Sequence, residues 1–189
     1  MNRRGFLKGI LAGSVSTPVI AGAMPAANGP ESLPATSIVI HDARYSDART
    51  FAAAATRLGA IATGPRADLI HLWQQRLGPT LRKHRYRVMG MTTYADFMLL
   101  RDCMSTIKYR PVFEGLHDCR GHTVLTHKLR YRGQIKPALI FAGRQWPATL
   151  ARVLYRDQEA KWPLQESVIT SSVQRATDHP GTLVSWMMV

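Results

Sequence analysis

Short β-branched runs trade places with two-faced stretches along residues 36–115. Thr36-Ser37-Ile38-Val39-Ile40 reads as a short buried strand running into His41-Asp42. Ser46 is placed to cap the next helix, with Asp47 in its electropositive first turn. Phe51, Ala54, Ala55 and Leu58 share one face of that helix, and Gly59 is a fitting stop. Ala60-Ile61-Ala62-Thr63 is a weaker second strand. Gly64-Pro65 turns into a helix from about Ala67, with a stripe of Leu69, Ile70, Trp73 and Leu77. Gly78-Pro79 is expected to break it, because proline lacks an N–H and clashes with the preceding turn. Residues 86–91 form a third strand. Thr92 or Thr93 caps a helix whose stripe is Phe97, Leu100, Met104 and Ile107. Residues 109–114 form a fourth strand, which Pro111 pushes towards a sheet edge.

The last third changes character. Thr123, Leu125, His127, Leu129 and Tyr131 alternate with Val124, Thr126, Lys128 and Arg130, which predicts a half-buried strand with a basic outer face. Arg132-Gly133-Gln134 is expected to turn into a hairpin strand over 135–141, and Pro147 to start a short helix through Leu154. Residues 167–173 and 182–189 are further strands around the turn-like Asp178-His179-Pro180-Gly181. The run Leu183-Val184-Ser185-Trp186-Met187-Met188-Val189 is too apolar for an exposed tail and belongs inside a sheet. Strands alternating with helices predict a three-layer α/β sandwich, doubly wound and mostly parallel, flavodoxin- or Rossmann-like. One domain over 36–189 is expected: a parallel βα part over 36–118, in strand order 2-1-3-4, and an antiparallel β-rich extension over 122–189.

The amino terminus reads as an address. Asn2-Arg3-Arg4-Gly5-Phe6-Leu7-Lys8 is a positive segment, followed by a weakly apolar stretch from Gly9 to Ile20. Ala21-Gly22-Ala23 then offers small residues where a signal peptidase cuts, which places cleavage before Met24. The run Arg3-Arg4-Gly5-Phe6-Leu7-Lys8 resembles the twin-arginine (Tat) signal motif, with Asn2 where that motif prefers Ser or Thr. The resemblance covers the leader, residues 1–23, alone. It implies export of the folded protein to the periplasm, with the Tat translocase and signal peptidase as partners on the way. Residues 24–35, with three prolines and no periodicity, form a flexible lead-in.

Composition narrows the classes. The 189-residue chain is 46% hydrophobic, enough to bury a core, and two cysteines are too few for a disulfide scaffold or a four-cysteine zinc module. The formal charge of +13 falls to +10 once Arg3, Arg4 and Lys8 leave with the leader. Such charge in an exported protein points to a small anionic ligand or an acidic protein partner, not to nucleic acid. The basic run Arg82-Lys83-His84-Arg85-Arg87 lies at the amino end of strand three, away from the ligand-binding edge. Cys103, deep in its helix, and Cys119, past the next strand, are expected to remain free thiols.

Open parallel sheets bind ligands beyond the carboxyl ends of their strands, where the strand order reverses. With order 2-1-3-4 that crevice receives His41, Asp42 and Arg44 from strand one, and Thr92, Thr93 and Tyr94 from strand three. Glu114, His117 and Asp118 are expected nearby, from the end of strand four. His41 is a candidate base oriented by Asp42, Arg44 an anion clamp, and the threonines holders of a phosphate or carboxylate. The first turn, His41-Asp42-Ala43-Arg44-Tyr45-Ser46, has no glycine, so it lacks the dinucleotide fingerprint. Neither a P-loop nor a Gly-x-Ser-x-Gly elbow exists, and the residues assign no cofactor. A third constellation, His117, Cys119 and His122, has ligand chemistry but no recognised metal spacing. The leading expectation is an exported ligand-binding protein or accessory subunit of a periplasmic assembly. A small hydrolase or transferase built on His41, Asp42 and Arg44 is the rival, and a metal-binding protein the third reading.

Overall fold

The computed structural model describes residues 37–64, 68–120, 123–131, 135–156, 163–173 and 176–189. The leader, the lead-in and His122 lie outside the described residues, as does the expected Arg132-Gly133-Gln134 turn. The architecture is α/β. Seven strands form one mixed sheet: β1 (Ser37–His41), β2 (Ile61–Thr63), β3 (Arg87–Thr92), β4 (Pro111–Arg120), β5 (Val124–Tyr131), β6 (Gln165–Ser172) and β7 (Thr182–Met188). Their order is β2-β1-β3-β7-β4-β5-β6. The pairs β1–β2 and β1–β3 are parallel, and every pair from β3–β7 to β5–β6 is antiparallel.

Helices cover both faces. On one lie α1 (Ser46–Arg57), α5 (Lys136–Ile140) and α6 (Trp146–Arg156), packed on Val39, Met89, Met91, Phe113, Leu129, Leu183 and Met187. On the other lie α2 (Leu69–Leu72), α3 (Gly78–Lys83) and α4 (Tyr94–Ser105), packed on Ile38, Ile40, Val88, Val184, Trp186 and Met188. Successive residues of β1, β3 and β7 thus feed opposite cores, as strand alternation requires. Among the described residues no helix is long and apolar enough to cross a membrane.

The expected order 2-1-3-4 holds as far as β3, where β7 enters. β4 runs in the same direction as β3, because both are antiparallel to β7, but it is one strand removed. The cause is the apolar 183–188 run. Leu183, Val184, Ser185, Trp186 and Met188 are each at most 2% exposed, and burial on both faces is available only in the middle of a sheet. Pro111 is therefore not on an edge strand. It sits at the first position of β4, where the register against β7 shifts between Pro111 and Phe113, so its missing N–H interrupts nothing further along.

Three further expectations need correction. Gly78-Pro79 does not end the helix: a π turn, Trp73–Leu77, joins α2 to α3, and the Gly78 N–H reaches back to the Trp73 carbonyl. The wider turn takes up a proline that would collide with an α-helical carbonyl behind it. It also re-aims the stripe, leaving Ile70 exposed while Leu69, Leu72, Trp73 and Leu77 are buried. Residues 135–141 hold α5, not a hairpin strand. Pro137 lies in its first turn, where no donor is needed, and Ile135 and Leu139 are buried one turn apart while Ile140 and Phe141 face out. Ser46 does not cap α1 with its own side chain. Its N–H donates to Asp178 Oδ2 at 2.7 Å and its hydroxyl to Asp178 Oδ1 at 2.6 Å, so a carboxylate from just before β7 closes the helix start.

Candidate ligand crevice

β1 has β2 on one side and β3 on the other, both parallel to it. Strand order reverses there, and the carboxyl ends of β1 and β2 open into a crevice of about 1150 Å³. His41, Asp42, Ala43 and Arg44 enter from the end of β1, and Ala62, Thr63 and Gly64 from the end of β2. Leu69 of α2, Arg76 of the π turn and Asp96 of α4 complete the wall.

Within it Asp42 and Arg44 form a locked pair. Asp42 is 5% exposed, and both its oxygens accept from Arg44: Nη2 donates to Oδ2 at 2.6 Å and Nε to Oδ1 at 3.0 Å. Nε also reaches Oδ2 at 3.1 Å, and the Arg44 backbone N–H donates to Oδ1 at 3.0 Å. Burial alone would raise the Asp42 carboxyl, but hydrogen bonds to the Arg44 side chain and backbone, helped by its charge, hold it below the usual range. The Arg44 guanidinium is correspondingly raised, by that hydrogen bond first and by the Asp42 charge second. This is a forked, geometrically specific contact that points a cation at the crevice. Arg76 makes no ion pair among the described residues.

His41 is different. Burial lowers its pKa, the Asp42 charge opposes that, and Arg49 adds to it, so the ring is held neutral at pH 7. Its Nδ1 is buried without a hydrogen-bond partner. Asp42 gives its bonds to Arg44, and no bond between Asp42 and His41 forms.

Thr92, Thr93 and Tyr94 do not enter the crevice. Thr92 is 1% exposed; its hydroxyl accepts from Trp186 Nε1 at 3.2 Å and donates to the Thr93 carbonyl. Thr93 caps α4, accepting the Asp96 N–H at 3.3 Å. Tyr94 faces a separate groove of about 490 Å³, walled by Phe97, Leu116, Val168 and Val184 and rimmed by Glu114, Lys128, Arg130 and Glu166.

The β4 candidates are dispersed because the strand runs on to Arg120 and alternates faces. Glu114 joins the Tyr94 groove, and Asp118 accepts from Thr182 Oγ1 at 2.7 Å and pairs with Lys128 Nζ at 3.8 Å. His117 turns into the opposite core, wholly buried. Its Nδ1 lies 2.7 Å from His127 Nδ1 and its Nε2 2.6 Å from Ser185 Oγ, with the Trp146 ring 4.4 Å from its own. A chain of three groups with one proton per neutral ring closes in either direction, so every ring nitrogen of His117 is satisfied without a metal. Burial, then His127 and His179, push His117 well below its usual pKa, and burial takes His127 to about 4. Among the described residues no three ligating side chains converge on one point. Neither Cys103 nor Cys119 forms a disulfide among the described residues.

Comparison with protein families, curated proteins and solved structures finds no match. The crevice stands on its geometry alone.

Arg76 and Asp96 are the site residues that sequence reasoning missed. Arg76 is delivered by the π turn and Asp96 by a helix whose cap was legible, but nothing in the spacing marks either as facing the end of β1. The basic run at 82–87 is partly absorbed by packing: Arg87 donates to the Tyr155 carbonyl at 3.0 Å, and Arg85 lies 5.3 Å over the Tyr109 ring.

Proposed function

We propose that this protein binds a small phosphate- or carboxylate-bearing ligand in the β1–β2 crevice, with Arg44 and Arg76 as its cationic contacts. The observation that carries the reading is Arg44 locked on buried Asp42 at the edge where strand order reverses. A neutral His41 in the same crevice offers a hydrogen bond without adding a charge that needs neutralising. The β1–β3 part, with a helix crossing on either face, is read as the beginning of a flavodoxin-like winding that β7 interrupts. The leader resembling a Tat signal supports work in the periplasm. The apolar groove walled by Tyr94, Phe97 and Val168 leaves room for an accessory role in a larger assembly. A hydrolase built on a His41–Asp42 pair draws less support, since Asp42 is committed to Arg44 and Thr92 to the core.

The test is a thermal-shift and calorimetric titration of the purified protein with inorganic phosphate, citrate and acetate. A ligand that binds the native state alone raises the melting temperature, by about 2.7 kcal/mol of stability at a hundredfold excess over Kd. Arg76→Ala is expected to weaken binding about tenfold or more while leaving the unliganded melting temperature in place. Equal binding by wild type and Arg76→Ala, or none by any of these anions, would retire this reading.

A further inference from the structure

A second cavity, of about 320 Å³, opens on the other face of the sheet, beside the start of α1. Its walls combine Asp47 with Leu125, Trp146 and Val173, and Arg144 lines the same space. Asp47 is half-buried and, among the described residues, has neither a hydrogen bond nor an ion pair. Its neighbour Asp178 is fully engaged, accepting from Ser46 and, at 3.2 Å, from Arg49. Burial and that second carboxylate leave Asp47 at about 6, still mostly ionised at neutral pH. A desolvated carboxylate without a partner is costly to keep, and the cost is removed by a ligand that brings the missing cation.

We propose that this cavity takes a small ligand with a primary ammonium group and an apolar body, the chemistry of a free apolar α-amino acid. The ammonium meets the Asp47 carboxylate, while the body lies against Trp146, Leu125 and Val173. Arg144 favours a zwitterion, whose carboxylate it attracts, over a simple amine. A volume of about 320 Å³ is at the small end of ligand sites, in keeping with a molecule of this size. The site is separate from the anion crevice and does not depend on it.

Calorimetric titration of the full chain at pH 7.5 with L-phenylalanine, phenethylammonium and 3-phenylpropionate tests this. The first should bind with 1:1 stoichiometry, the second more weakly, and the third, which lacks the ammonium, at least about tenfold more weakly than the first. Asp47→Asn should weaken L-phenylalanine by about tenfold or more. Absence of binding by both ammonium ligands at about 10 mM, a Kd far outside the useful range, would overturn the proposal. So would 3-phenylpropionate binding as well as L-phenylalanine, or an Asp47→Asn protein that binds unchanged. Should that variant fail to fold, the ligand series on the wild-type chain decides the case.

Discussion

At the residue scale the buried histidines set the acid limit of the fold. His127 falls from 6.5 to about 4 through burial, and burial, with His127 and His179, holds His117 well below its usual value. Both rings are neutral when folded, whereas the unfolded chain takes up their protons near pH 6.5. Their stabilising effect is therefore complete above pH 6.5 and is lost as pH falls from there towards 4, by about 3 kcal/mol for His127 alone. Denaturant melts at pH 7.5, 6 and 5 should show this decline, and His127→Gln should flatten it. Asp47 runs the other way: its pKa, raised from 3.8 to about 6, makes its ionisation a burden that builds between those two values and is complete above about pH 6. After allowance for partial exposure, Asp47→Asn should stabilise by about 1–2 kcal/mol at pH 7 and by almost nothing at pH 4, as paired thermal melts would show. The sequence marked His41, Asp42 and Arg44 as one group because they are chain neighbours at a strand end. It did not show that Asp42 would choose Arg44 over His41, since that choice depends on which side chain the burial of Asp42 leaves within reach.

At the scale of elements, local patterns were readable and long-range ones were not. The alternation in β5 placed Leu125, His127, Leu129 and Tyr131 inward, as found, because a period of two survives whatever the neighbours are. The breadth of the Trp73–Leu77 turn escapes because Pro79 reads as a breaker where its surroundings make it tolerable, and the helix at Lys136–Ile140 because the apolar run after Arg132-Gly133-Gln134 reads as the second strand of a hairpin. Gly90 shows how tightly neighbouring strands meet. A Cβ there would run into the Trp186 ring and lie 2.9 Å from the Ile40 carbonyl. Gly90→Ala should cost about 3 kcal/mol, seen as a lowered denaturant midpoint with an unchanged slope, because neither the indole nor the strand backbone can move aside.

At the scale of the molecule, the sheet is two pieces joined by one strand. β2-β1-β3 is parallel, β4-β5-β6 is an antiparallel meander, and β7 hydrogen-bonds to both β3 and β4. Its apolar composition announced burial, but no local signal said between which partners, and the edge place expected for β4 failed on that point. Deleting residues 182–189 should therefore abolish cooperative unfolding, with loss of near-ultraviolet dichroism, and not merely lower the melting temperature. The seam also orders events in time. A polypeptide emerging amino end first can assemble either half early and pack α1 on α6, yet the sheet itself stays divided until Thr182–Met188 follows. Until then the facing borders of β3 and β4 are bare templates for any stray extended segment, and a holding chaperone would be most useful in that interval.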